Sequence, residues 1–161
     1  RQALCSGTTY AVWEGNELIV NPRILLVEDN VELRQTMRAW LAPLFPEWTF
    51  EETNCAEAAV GIVALRPPGI VLMDFKLPGL NGIEATRQIK ASAPQVQVIV
   101  VTVYDEADYE ADAQAAGAAG YVCKRRMHAE LVPLLRKLVN EAAAGKSPRE
   151  LELPGTERPN K

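Results

Sequence analysis

The sequence predicts an α/β fold, a parallel sheet covered by helices on both faces. Three observations predict it. Short apolar runs rich in β-branched residues recur at 24–27 (ILLV), 70–73 (IVLM), 98–101 (VIVV) and, more weakly, 120–123 (GYVC). Segments with helical spacing of apolar residues lie between them. None of the runs approaches the ~18 apolar residues of a membrane helix; each has the length of a buried strand. Strands alternating with helices in this rhythm form parallel sheets, whose buried strands read as continuous apolar runs.

Each element can be justified in order. After the first strand, Val31 to Leu44 places Val31, Leu33, Met37, Trp40, Leu41 and Leu44 at helical spacing, with Trp40, Leu41 and Leu44 read as core. A weak strand, Thr49 to Thr53, precedes an Ala-rich helix, Ala56 to Leu65, carrying Val60, Ile62 and Val63. The 70–73 strand ends on Asp74. A turn through Pro78, Gly79, Asn81 and Gly82 leads into a helix, Gly82 to Ala91, with Ile83, Ala85 and Ile89. Beyond the 98–101 strand, Glu106 to Ala116 reads as an Ala-rich helix. The acids Asp105, Glu106, Asp108, Glu110 and Asp112 around its start suit the positive helix terminus and a solvated face. The last helix, His128 to Ala144, carries Leu131, Leu134, Leu135, Leu138 and Val139. His128, the sole histidine, reads as a helix-start residue and no ligand.

Two segments fall outside the rhythm. Residues 1–21 contain YAVW, EGN and ELIV, which fit either a small hairpin turning at Gly15-Asn16 or a disordered leader. Residues 145–161, with three prolines and mixed charge, read as a linker or tail. The expected organisation is an extension at 1–21, one domain at 22–144 and a tail at 145–161.

With 161 residues, 48% of them hydrophobic, the chain can build a proper core. A net charge of −4 argues against a nucleic-acid surface within this segment. Cys5, Cys55 and Cys123 are odd in number and form no metal-binding spacing, so they read as free thiols of a reducing cytoplasm. Cys123 reads as a buried, inert strand thiol. The first 22 residues lack a basic start followed by an apolar stretch, and no membrane association is expected.

The strand ends carry the chemistry. The first run ends in Glu28-Asp29, the 70–73 run in Asp74, the 98–101 run in Thr102 and the last in Lys124. Open parallel sheets form their sites outside the carboxyl ends of the strands, so these groups converge on one edge. Singly, each has a plainer reading: Asp29 as a helix N-cap, Asp74 as a strand-end cap, Thr102 as the end of a strand, Lys124 as a surface residue. Together they point elsewhere. Clustered carboxylates repel unless a cation joins them, and few hard oxygen ligands suit Mg2+. A lone ammonium and a hydroxyl beside them suit a phosphoryl group. A carboxylate so placed is a nucleophile able to form an aspartyl phosphate.

The stretches VEDN, VLMDFKLPGLNG, VIVVTVYDE and AAGYVCK, in this order and spacing, resemble the receiver domain of two-component response regulators over roughly residues 22–144. The resemblance implies a doubly wound, five-stranded, flavodoxin-like sheet of order 2-1-3-4-5 with five helices. It implies Asp74 as phospho-acceptor, Asp29 as direct Mg2+ ligand with Glu28 as its acidic neighbour, and the Lys76 backbone carbonyl on the metal. Thr102 matches the hydroxyl residue that swings toward the phosphoryl group. Tyr121, which by itself reads as core, matches the aromatic that turns inward with it, and Lys124 the lysine that contacts the phosphoryl group. The implied partner is a histidine kinase or phosphotransfer protein docking near the first helix, where Arg34 and Arg38 are expected to be exposed. The fourth helix, last strand and fifth helix would form an output face, used for homodimerisation on phosphorylation or for release of a DNA-binding domain. The implied chemistry is self-catalysed phosphoryl transfer and dephosphorylation, with no turnover enzyme in the ordinary sense.

The chain departs from the pattern at several positions. Lys76 places a cation where many relatives have a smaller or neutral side chain, able to pair with Glu28 or Asp74. Val103 is bulkier than usual, and Tyr104 stands where hydrolysis is tuned. Arg125-Arg126-Met127 follows Lys124 in place of a proline, similar to the branch carrying a C-terminal helix-turn-helix domain. Two other readings remain open at this point: a receiver-like adaptor working without phosphate, and an aspartyl-nucleophile phosphohydrolase of the haloacid dehalogenase type. The latter wants a second aspartate where Lys76 stands.

Overall fold

The computed structural model describes residues 11–14, 17–20 and 22–144. In chain order the elements are strands β1 (Ala11–Glu14), β2 (Glu17–Val20) and β3 (Arg23–Val27), helix α1 (Val31–Leu41), β4 (Thr49–Thr53), α2 (Ala56–Leu65), β5 (Ile70–Asp74), α3 (Gly82–Ser92), β6 (Gln97–Thr102), α4 (Ala107–Ala115), β7 (Gly120–Cys123) and α5 (Met127–Ala144). Single 3-10 turns follow α1 (Ala42–Leu44) and precede α5 (Lys124–Arg126).

Strands β3 to β7 form one parallel sheet in the order β4-β3-β5-β6-β7. Numbered within that sheet, the order is 2-1-3-4-5, the doubly wound flavodoxin-like arrangement. Strands β1 and β2 pair antiparallel in a separate sheet, Ala11 opposite Val20 and Glu14 opposite Glu17. The expected turn at Gly15-Asn16 and the tail at 145–161 lie outside the described residues.

The period-2 alternation of β3 shows how both faces are covered. Ile24 and Leu26 pack with Met37 and Leu41 of α1 and with Leu131 and Leu135 of α5. Leu25 and Val27 pack with Ala59 and Val63 of α2 and with Ala85 and Ile89 of α3. Helix α4 adds Ala113 and Ala116 against Val100 and Ile83. Each large side chain removed from water here stabilises the fold by about 1.5–3 kcal/mol. The edge strand β4 reads weakly because only Phe50 of its five residues is fully buried. Its acids are held instead by basic side chains: Glu51 by Arg23 at 2.9 Å and by Arg66, and Glu52 by Arg38 at 2.8 Å. Charge on an edge strand also discourages pairing with another chain.

Helix α1 ends earlier than the apolar spacing predicts. Pro43 carries no N–H, so the α-helical ladder gives way to the 3-10 turn after Leu41. That turn swings Leu44 outward, to 39% exposure, where core was expected, while Leu41 is fully buried. Trp40 is half-buried and stacks on His128 with ring centres 4.5 Å apart. Cys123 is fully buried, as expected of a strand thiol. Among the described residues, no helix is long and apolar enough to cross a membrane.

Candidate functional site

Strand register brings the chemistry together. Asp74 pairs with Val101, so Thr102 lies one residue beyond it on β6. Val27 pairs with Met73, which sets Glu28 level with Asp74. Thr102 pairs with Cys123, so Lys124 leaves β7 at the same edge. Three of the four expected strand ends, at Glu28, Asp74 and Lys124, therefore open into one cleft of about 430 Å³, lined also by Asp29, Lys76 and Val103, while Thr102 is buried beside it.

One carboxylate oxygen each from Glu28, Asp29 and Asp74 lies within 4.8 Å of the others. Glu28 and Asp74 are buried and Asp29 is exposed. The Lys124 ammonium donates to Glu28 Oε2 at 2.7 Å and lies 3.3 Å from Asp74 Oδ1. Glu28 Oε1 accepts from the Asn30 N–H at 3.2 Å. Burial pushes the Asp74 carboxyl up to about 6, with Lys124 pulling it down and Glu28 pushing it further up. Three acids and one lysine leave the cluster short of positive charge. The donors are all hard oxygens, one of them facing solvent, so the residues present fit a small divalent cation that keeps part of its water shell.

The plainer reading of Asp29 as helix cap is overturned. Asn30 caps α1, its side chain accepting from the Leu33 N–H at 2.9 Å, which leaves the Asp29 carboxylate to the cluster. The pairing with Glu28 or Asp74 of which Lys76 is capable is not made. The Lys76 side chain is exposed and, among the described residues, forms no ion pair; Lys124 takes both acids. Arg34 is not an exposed neighbour on α1. Its guanidinium turns inward, donating to the Glu28 backbone carbonyl at 2.6 Å and lying 3.6 Å from Glu52. Arg38 does face solvent.

Thr102 is fully buried, and its Oγ1 accepts from the Tyr104 N–H at 3.3 Å. Tyr121 is half-buried and donates its hydroxyl to the Tyr104 carbonyl at 2.9 Å. Burial first, then the nearby Glu106, Cys123, Asp105 and Glu110, push that hydroxyl up to about 12. Tyr104 belongs to an aromatic trio with Phe75 and Tyr109, ring centres 5.0–5.6 Å apart, which ties the residue after Asp74 to the first turn of α4. Val103 is 55% exposed on the cleft rim.

The turn after Asp74 is closed from several sides. The Gly82 N–H donates to the Phe75 carbonyl at 2.9 Å, and a Cβ on Gly82 would fall onto the Asp74 carbonyl oxygen. Asn81 caps α3 by accepting from the Glu84 N–H at 2.9 Å. Glu57 of α2 accepts from the Leu80 N–H at 2.8 Å, which holds its carboxyl below the usual range. Sequence reasoning placed Asn81 in the turn but missed it as the helix cap, although Asn-x-x-Glu before an apolar helix is a start signature. It also passed over the inward role of Arg34 and the loop anchor Glu57, for which no local pattern exists.

A doubly wound sheet with an acid trio and a shared lysine at its carboxyl edge is a phosphoryl-handling architecture, and comparison with known proteins gives it a family. A family model described as the response regulator receiver domain matches residues 24–136. The response regulator GacA of Pseudomonas aeruginosa is 34% identical over 116 residues, 72% of this chain and 54% of that protein. The response regulator UvrY of Escherichia coli K12 is 36% identical over 115 residues, 71% of this chain and 53% of that protein. A LuxR-family two-component response regulator from Aurantimonas sp. SI85-9A1 superposes with a TM-score of 0.68 at 33% identity, over 73% of this chain and 85% of the other. The chain belongs to the response regulator receiver domain family. It spans about half the length of the curated relatives it matches. Receiver domains as a class act as switches, bind Mg2+ in an acidic pocket and receive their signal from histidine kinases or phosphotransfer proteins.

Proposed function

We propose that this chain is the receiver part of a phosphorylation-controlled transcriptional regulator, with Asp74 as the phospho-acceptor. The observation that carries this reading is the convergence of Glu28, Asp29 and Asp74 within 4.8 Å, with Lys124 bridging two of them. In the proposed step a carboxylate oxygen of Asp74 attacks the phosphorus of a phosphohistidine. The O–P bond forms, the P–N bond breaks, and the imidazole leaves with the electron pair and takes up a proton. Glu28, Asp29, Asp74 and the Lys76 backbone carbonyl would hold Mg2+, which when bound supplies positive charge to the phosphoryl oxygens.

This chain's own groups do the rest. Lys124 exchanges its carboxylate partners for a phosphoryl oxygen and neutralises charge in the transition state. Burial keeps Asp74 poorly solvated, which favours a nucleophile free of tightly bound water. Thr102 donates its hydroxyl to the bound phosphoryl group, and Tyr104 and Tyr121, linked to it through the loop, move with it. The face of α4, β7 and α5 changes as a result and acts on a dimer partner or a DNA-binding domain. The segment itself contacts neither nucleic acid nor membrane and works in the cytoplasm.

The test is intact-mass spectrometry after incubation with Mg2+ and acetyl phosphate, on the wild type and Asp74→Asn. The expected result is one added phosphoryl group, dependent on Mg2+ and absent from the variant. No adduct, together with no response of the Tyr121 ring signals to beryllofluoride, overturns the reading in favour of an adaptor that works by contact alone.

A further inference from the structure

We propose that Arg126 is a positioning residue: its guanidinium fork on Asp105 locks together the two loops that carry Thr102 and Lys124, and so holds hydroxyl and ammonium in one arrangement over the acid pocket. The proposal rests on the phospho-acceptor reading of Asp74.

Thr102 ends β6 and Lys124 follows β7, on adjacent strands whose last paired residues are Thr102 and Cys123. Their loops leave the sheet side by side. Arg126, two residues after Lys124, reaches across to Asp105, three residues after Thr102. The contact is bidentate: Nη1 donates to Oδ2 at 2.6 Å and Nη2 to Oδ1 at 2.8 Å. The remaining nitrogen, Nε, donates to Glu130 of α5 at 2.6 Å. All three guanidinium nitrogens are therefore committed, and the fork is fixed from both sides.

The Thr102 loop is held a second time, one residue earlier, because the Tyr121 hydroxyl from β7 donates to the Tyr104 carbonyl. Tyr104 in turn gives its N–H to the Thr102 hydroxyl oxygen. The chain of contacts from Arg126 to Thr102 is thus continuous through Asp105 and Tyr104. Arg126 holds the Asp105 carboxyl below the usual carboxylate range, which agrees with the close fork.

A solvent-accessible ion pair contributes little by charge alone. What distinguishes this one is geometry: parallel N–H donors on one carboxylate, from a planar group already oriented by Glu130. Lysine keeps the charge but has no fork, so Arg126→Lys separates geometry from electrostatics.

Four forms, the wild type, Arg126→Lys, Asp105→Asn and the double variant, are compared in two measurements, with Glu130→Gln as a fifth. Hydrogen exchange of the 103–106 amides is read without phosphoryl donor. The rate of adduct formation from acetyl phosphate with Mg2+ is read by intact mass. Arg126→Lys and Asp105→Asn are each expected to raise exchange and to slow adduct formation about threefold, the scale of one well-made accessible ion pair. The double variant is no slower than Asp105→Asn alone, which removes the fork together with the 3.8 Å pair between Arg125 and Asp105. For Asp105→Asn, which removes a charge, the gap from wild type closes as salt rises, whereas for Arg126→Lys, which keeps it, the gap persists, a contrast that general destabilisation does not produce. Glu130→Gln loses less than either. Wild-type adduct formation with variant rates unchanged overturns the clamp and leaves the acceptor reading intact. No adduct in any form, together with no response of the wild-type Tyr121 ring signals to beryllofluoride, removes the acceptor reading and the catalytic part of the clamp with it, whatever the exchange data show.

Discussion

The Lys124 ammonium sits 2.7 Å from the Glu28 carboxylate, joining residues 96 apart in the chain. Because the same nitrogen is 3.3 Å from Asp74, a cation bound to Glu28, Asp29 and Asp74 competes with Lys124 for two of its ligands. Lys124→Ala is therefore expected to tighten Mg2+ binding severalfold, measured by calorimetric titration. In metal-free buffer the same variant leaves Glu28 and Asp74 uncompensated and loses roughly 1–3 kcal/mol of stability. Added Mg2+ recovers most of the lost melting temperature. Unchanged metal affinity would show that Lys124 is a bystander in the resting pocket.

Asp74→Asn makes a pH-dependent prediction. Burial raises the folded carboxyl to about 6 from an ordinary 3.8. The native state then holds this proton more tightly than the unfolded chain. That contribution to stability is complete below pH ~4 and is lost as pH climbs through ~6. At neutral pH the ionised group costs up to about 3 kcal/mol. Removing it raises the denaturation midpoint at pH ~7.5 in chelator, and the gain shrinks as pH falls through ~6. A gain that stays constant with pH contradicts this account.

Tyr121→Phe deletes one hydrogen bond, from the hydroxyl to the Tyr104 carbonyl, and leaves the ring in place. The site is half-buried, so water reaches the freed carbonyl. The expected loss is about 0.5–1 kcal/mol in urea denaturation. Amide exchange should rise in the loop after Thr102 and stay unchanged in β3 and β5.

Gly82→Ala tests the turn that closes behind Asp74. A Cβ there meets the Asp74 backbone carbonyl, and backbone cannot rotate aside as a side chain can. The cost is expected at or above the upper end of the ~1–3 kcal/mol seen for overpacking. By contrast, Gly61→Ala on α2, where nothing lies within 4 Å of the added carbon, is neutral or slightly stabilising in the same thermal melt.

The sheet was legible because its strands are buried on both faces, and burial writes continuous apolar runs such as Ile24 to Val27 and Ile70 to Met73. The pocket was legible because parallel strands end at one edge, so polar residues that close apolar runs must meet there. What escaped the sequence is what depends on pairing at a distance. Nothing local says that Arg34 turns in to the Glu28 carbonyl, or that Lys124 and not Lys76 takes the two acids. Both lysines stand beside strand ends, and only the placement of β7 against β6 decides between them. The early end of α1 was readable in principle, since Pro43 interrupts the pattern, but apolar spacing alone carried Leu44 into the core.

Strand β7 carries both ends of this logic, because it is an edge strand and, among the described residues, the last strand in chain order. Until it docks beside β6, Glu28 and Asp74 lie near each other with no cation from the chain between them. Contacts spanning so much sequence form late, since closing a long loop loses entropy before the contact rewards it. A nascent or truncated chain that ends before β7 thus holds mutually repelling acids at a half-built edge. The relay pocket is complete only after β7 has docked, so this strand is in effect a checkpoint on information flow through the domain.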